Sequence, residues 1–291
     1  MSDLFQYILS GATVGATYGL AGLGFTVIFN ATEIINFAQG EFVMLGGMLA
    51  VFAIRWAGAP LPAAVLAAVL GTTTVGVAMD RLTVRPVRGR SAIALIIVTI
   101  GVSIVLRGSA MLVFGKDAFS LPAFSAGEPL SILGAVLVPQ SLWVGGVTLG
   151  ILVGMKAYFD HTIAGKAMLA CAYDRKAAAL MGIHVENIVS RSFALSAMVG
   201  ALGGVILAPI TLTSYDVGIM LGLKGFAACI LGGLGNPFGA VAGGVIMGVL
   251  ESLTAGLVSS GYKDAVAFVI LLLLLFLRPA GLFGRAHAER V

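Results

Sequence analysis

The chain is hydrophobic almost without interruption, and this constrains its fold more than any motif does. Apolar runs such as Ala265–Leu277 and Ile93–Phe114 follow one another along its length. They far exceed the needs of a core strand and suit a bilayer, whose hydrocarbon core takes about 20 apolar residues per crossing helix. Of 291 residues, 59% are apolar and 10% charged, and mean hydropathy is +1.06. The expected fold is therefore an all-α polytopic membrane protein of roughly eight transmembrane helices, without a sizeable extramembrane domain.

The expected spans are 5–29, 34–54, 60–80, 91–114, 141–158, 189–210, a broken pair 223–234 and 239–258, and 262–278. Pro60, Pro62, Pro86, Pro122, Pro129 and Pro139 fall in the breaks, because proline lacks a backbone donor and disfavours helix just before it. The first run has no basic n-region and carries Asp3, so it is expected to be a retained helix and not a signal peptide. Its Gly11-x3-Gly15-x3-Gly19 pattern is the small-residue stripe that lets membrane helices approach closely.

Cation bias sets the orientation. Arg81, Arg85, Arg88 and Arg90 follow the third span. Lys166, Arg175, Lys176 and Arg191 lie between the fifth and sixth, and Arg278, Arg285 and Arg290 are in the tail. These segments are assigned to the cytoplasm. Residues 115–140, with Lys116 against Asp117 and Glu128, are assigned outside, which also places the N-terminus outside. Parity then requires 223–258 to dip inward and return, turning at Gly232-Gly233-Leu234-Gly235-Asn236-Pro237-Phe238-Gly239, with a first arm short enough for a re-entrant half-helix. The net charge of +4 belongs to the inner loops and does not suggest nucleic acid. Cys171 and Cys229 fall in different compartments, so no disulfide is expected.

Enzymatic signatures are missing. Gly165-Lys166 is followed by Ala167 and lacks the upstream glycine of a phosphate loop. There is no H-E-x-x-H or G-x-S-x-G, and His161, His184 and His287 are scattered. No catalytic residue, metal or cofactor is expected. The candidates are instead polar groups at membrane depth: Asn36, Gln39 and Glu41 at the start of the second span, Asn236 in the later break, and Glu251. Charges in a bilayer are costly and face a cavity or a partner. Glu41 is read either as lining the pathway or as a structural carboxylate, hydrogen-bonded to a neighbouring helix or paired with Arg107. Glu251 and Arg107 are read as snorkelled interfacial charges. Segment 159–188 is rich in Ala, Leu, Met and Lys and is expected to form one cytosolic helix of about 16 residues, ending at Gly182.

Four stretches resemble one family. Lys176-Ala177-Ala178-Ala179-Leu180-Met181-Gly182 resembles the E-A-A-x-x-x-G coupling loop of ABC importer permeases, with Lys176 where an acid is usual. Ile35-Asn36-Phe37-Ala38-Gln39-Gly40-Glu41 resembles the I-N-F-A-H-G-E stretch of LivH-type branched-chain amino acid permeases, with Gln39 in place of His. The 231–240 break and the Arg278-Pro279-x-Gly281-Leu282-Phe283-Gly284 tail are similar to the same family. The resemblance implies one permease domain over 1–291, in the bacterial inner membrane. It implies pairing with a second, LivM-like permease, two cytosolic ATP-binding subunits docked on the coupling segments, and a periplasmic substrate-binding protein. ATP would be bound by the partners. Gly165, Lys166, Arg175, Lys176, Ala177, Ala178 and Gly182 become the ATPase-coupling candidates. A similar permease for urea, short amides or aromatic acids, and an autonomous ion-coupled transporter, remain open as alternatives.

Overall fold

A computed structural model describes residues 2–125, 127–132 and 134–284; Arg285, His287 and Arg290 lie outside them. In chain order the helices are α1 (Ser2–Thr32), α2 (Gln39–Arg55), α3 (Leu61–Met79), which continues through a π-helical turn (Asp80–Val84) into α4 (Arg85–Val87), and α5 (Ala92–Phe114). A small antiparallel hairpin, β1 (Leu130–Ile132) and β2 (Ala135–Leu137), pairs Leu130 with Leu137. Then come α6 (Pro139–His161), α7 (Ile163–Tyr173), α8 (Arg175–Leu180), α9 (Val185–Leu207), α10 (Val217–Gly232), α11 (Pro237–Leu257) and α12 (Lys263–Leu277). Among the described residues, seven helices are long and apolar enough to cross a membrane. The chain is a polytopic all-α membrane protein, as its composition requires.

The core is built on α1, packed among α9, α10 and α11. Its glycine stripe lies along α11: a Cβ on Gly11 would come within 2.6 Å of the Gly248 carbonyl, and one on Gly15 within 2.5 Å of that of Gly244. The expected close packing is present, backbone against backbone. The outward faces of α5, α6 and α12 carry exposed Ile97, Val105, Leu112, Leu149, Val153, Leu273 and Phe276, the apolar coat of a lipid-facing surface.

The two ends of α1 orient the bundle. Gln6 bonds Val136 of the hairpin (3.1 Å from Nε2 to the carbonyl), on the cation-poor side. The other end reaches the cation-rich side, where Arg175 donates to the Ala31 carbonyl. From Thr32 the chain does not stay at the surface. Residues 33–38 turn back into the bundle, and α2 starts at its middle, where Gln39 bonds Ser196 halfway along α9. After α9, residues 208–216 turn back from the hairpin side. There Thr213 bridges Phe119, and α10 starts beside the first turn of α2.

α2 therefore runs from the centre toward the hairpin side, and α10 from the centre toward the cation-rich side. The set α1, α2, α3 and α5 and the set α9, α10, α11 and α12 have the same succession of directions, one inverted relative to the other, the arrangement of inverted-topology repeats. The sequence by itself suggests only a loose likeness between 30–41 and 232–239. The structural counterpart of the early break is 208–216. Residues 233–236 are an ordinary inner turn: Asn236 caps α11 through Oδ1 (3.1 Å from the Gly239 amide) and donates to the Phe283 carbonyl.

Segment 159–188 also differs from expectation. It is two helices, because Asp174 interrupts it: its carboxylate accepts from the Lys176 and Ala177 amides at 2.8 and 3.0 Å and starts α8 afresh. The stop is at the expected place, with Gly182 at φ +84°.

Candidate functional site

The half-helices meet end to end near the middle of the bundle. Gly40 lies so close to α10 that a Cβ there would overlap the Gly218 carbonyl and reach the Gly222 Cα at 2.7 Å. Both N-termini are at this junction, so the positive ends of two helix dipoles converge on it. Glu41, in the first turn of α2, supplies the matching negative charge. It is 1% exposed. Its Oε1 accepts from Ser103 of α5 at 2.8 Å, and its Oε2, turned toward Gly218, has no hydrogen-bond partner among the described residues. Arg107 makes no ion pair with it among those residues. An ionised carboxylate here is offset by the helix ends, one hydroxyl and the more distant charge of Arg107.

Asn36 and Gln39 flank the junction. Asn36 closes the re-entrant turn by accepting from the Ala38 amide at 3.1 Å, while its buried Nδ2 has no partner among the described residues. Gln39 is fully buried; it donates to the Ser196 carbonyl at 3.3 Å, and its side-chain oxygen meets the Ser196 hydroxyl. The Phe37 amide is held by Thr99 of α5 at 3.2 Å, and the Phe37 ring packs on Phe226 with centroids 5.8 Å apart. The structure thus brings Asn36, Gln39 and Glu41 together, but not Asn236 or Glu251.

Glu251 belongs to a second polar centre that sequence reasoning missed. It is buried and ion-paired with Lys224 of α10. Lys224 also contacts Asp264 of α12 at 2.8 Å and donates to the Tyr18 hydroxyl of α1 at 3.1 Å. The ammonium sits between two carboxylates and a phenol, and four helices are joined. This corrects the snorkelling expectation for Glu251. The available signal was Lys224 itself, the one cation inside the apolar run 217–232.

On the cation-rich side, α7 packs against the end of α6 where Gly165 allows contact with Phe159, its Cα 2.7 Å from a Cβ placed on the glycine. Thr162 caps α7 at the Gly165 amide (2.9 Å). Ala178 faces the bundle; Lys166, Lys176, Ala177 and Gly182 face out. Leu180 and Met181 are 88% and 83% exposed, and Ile163 and Tyr173 are equally bare. Nearby, buried Asp80 accepts from Arg88 at 2.7 Å and from Ser190, and Arg85 pairs with Glu186 at 3.3 Å, tying the π-helical turn to α9. Cys171 and Cys229 are free and buried. No cluster of metal-ligating side chains occurs among the described residues.

Residues 7–275 match the family described as "Branched-chain amino acid transport system / permease component". The chain is 33% identical to the high-affinity branched-chain amino acid transport system permease protein BraD of Pseudomonas aeruginosa, with all of both chains covered. It is 31% identical to LivH of Escherichia coli K12, again with full coverage of both. A more distant relative is the ribose import permease protein RbsC of Escherichia coli K12, at 26% identity over 94% of this chain and 84% of that one.

Proposed function

The chain belongs to the family of branched-chain amino acid permease components, and from that premise we propose that it forms the passage for branched-chain or closely related amino acids in an ATP-driven importer. It is a multi-pass protein of the inner membrane and a permease subunit of an ABC system. The subunit does not hydrolyse ATP in this reading. Two cytosolic ATP-binding subunits bind ATP and dock on the α7–α8 segments of this chain and of a second, LivM-like permease. A periplasmic binding protein delivers the solute to the outer face.

The observation that carries the docking reading is the bare end of α8. Leu180 and Met181 expose apolar surface on the cation-rich side, beside the turn at Gly182. Exposed apolar clusters rimmed by polar groups mark protein contacts, and Lys166 and Lys176 provide such a rim. In the membrane, the α2–α10 junction lines or gates the passage. Short, interrupted helices whose N-termini meet at membrane centre are suited to a charged solute, because they present dipole ends where bulk water is absent.

The test is reconstitution of the full assembly in proteoliposomes, with uptake of leucine, urea, short amides and aromatic acids compared with and without ATP. ATP-dependent leucine uptake supports the reading; uptake driven by an ion gradient alone overturns it. Gly182→Arg should abolish both uptake and solute-stimulated hydrolysis while membrane insertion persists, because a side chain is strained at that φ and a long cation blocks docking.

A further inference from the structure

α1 ends with carbonyl groups that its own helix cannot satisfy. One of these, on Ala31, is taken by Arg175, whose Nε donates at 3.1 Å and whose terminal nitrogen donates as well. Arg175 is the first residue of α8, but its guanidinium turns away from the bare surface of that helix and reaches the last turn of α1. The preceding residue, Asn30, donates from Nδ2 to the Gly235 carbonyl at 3.0 Å, in the turn that joins α10 to α11. The following residues, Thr32 to Ala38, lead directly into α2, and Glu33 holds a left-handed conformation at φ +54°. The last turn of α1 is thus bonded on one side to α8 and connected on the others to the inner end of α10 and the start of α2.

We propose that Arg175 is a positioning residue that transmits displacement of α8 to the last turn of α1, and through it to both half-helices. This rests on the reading that α8 is an ATPase docking element. Arginine is well fitted to such a role, because two of its donors converge on one carbonyl in a fixed fork and its cation faces the negative end of the α1 dipole. A pull on α8 therefore reaches Ala31 without passing through a flexible loop. From there one covalent path leads to Glu41 and one hydrogen bond leads to the turn below α10. The two paths converge again at Gly40 and Gly218. Lys176, Leu180 and Met181, on the outward face, belong to docking; Arg175, on the inward face, belongs to transmission.

The experiment uses the assembled complex in proteoliposomes and measures three quantities: ATPase subunits co-purified, ATP hydrolysed, and solute taken up per ATP. Arg175→Gln should leave co-purification intact and lower uptake per ATP by about tenfold or more. Arg175→Lys keeps the charge with one donor geometry lost and should fall between the two. Asn30→Ala should also lower uptake per ATP, since it cuts only the branch to the α10–α11 turn. Uptake and hydrolysis falling in proportion in Arg175→Gln, or uptake per ATP unchanged in both Arg175 variants, overturns the proposal. If Gly182→Arg retains its ATPase subunits, the docking reading itself fails, whatever the Arg175 variants do. Should Arg175→Gln fail to assemble, Arg175→Lys and Asn30→Ala decide the matter.

Discussion

α2 and α10 are the same device mounted in opposite directions, and each carries one ionisable group into the membrane. They manage it differently. Lys224 of α10 is locked: two carboxylates pair with its ammonium and a phenol accepts from it, all from three other helices. Glu41 of α2 is held loosely: one serine hydroxyl binds one oxygen, and the other oxygen faces α10 without a partner among the described residues. A charge that serves only to join helices is expected to be saturated, since each unsatisfied polar atom in such a setting is costly. A charge kept partly free is available to something else. In the proposed reading, the α10 centre anchors the helices and the α2 centre serves passage or gating.

The largest expected effect breaks the anchoring half. Lys224→Met leaves Glu251 and Asp264 without their cation and should destabilise the protein by about 3–5 kcal/mol, read as a lowered melting temperature and reduced complex yield. Adding Glu251→Gln to that variant should restore part of the loss; no recovery would show that the cluster does not act as a unit. A smaller effect is expected at the junction both halves share. Gly40→Ala forces the two half-helices apart and should cost about 1–3 kcal/mol together with most of the uptake, whereas Gly108→Ala, which has open space around it on α5, should be silent in both assays. The smallest stability effect, and the sharpest distinction, comes from Glu41→Gln. It retains an acceptor for Ser103 and should change stability by less than about 1 kcal/mol, yet lower the uptake rate. Unchanged uptake would remove the charge from the mechanism and leave Glu41 a structural partner. Glu41→Leu should then be the damaging variant, with yield and uptake falling together.

Much of the architecture was legible in the residues because bilayer physics leaves few options. Hydropathy located every long span to within a few residues, cation bias gave a consistent orientation, and parity exposed the short helix in the 217–258 region. The glycine stripe announced a backbone contact without saying with which helix, since stripes record how close a partner comes and not which partner it is. The depth of the breaks was not legible. Residues 30–41 and 232–239 share Asn and Gly, but one plunges to the centre and the other turns at the surface. Their difference depends on what lies beside them: Ser196 and Thr99 for the first, the Phe283 carbonyl for the second. The sequence marked both Glu41 and Glu251 as carboxylates at membrane depth, but read Glu251 as snorkelled to the interface. Only packing separates a carboxylate with a lysine beside it from one without. The break at Asp174 was written in the sequence as a helix cap, and high helix propensity on both sides hid it.

The seam between α1 and α11 has a consequence for anyone seeking variants with a new solute preference. Along Gly11, Gly15, Gly244 and Gly248 the two backbones touch with nothing between them but hydrogen, so any larger residue there pushes the helices apart before it can meet a solute. Substitutions on this seam will therefore register as loss of folded protein. A random library will be depleted of them, and their absence among selected clones will carry no information about what passes through the membrane. Diversity is better placed around Phe37, Ser103 and Phe226, where side chains, and not main chains, fill the space.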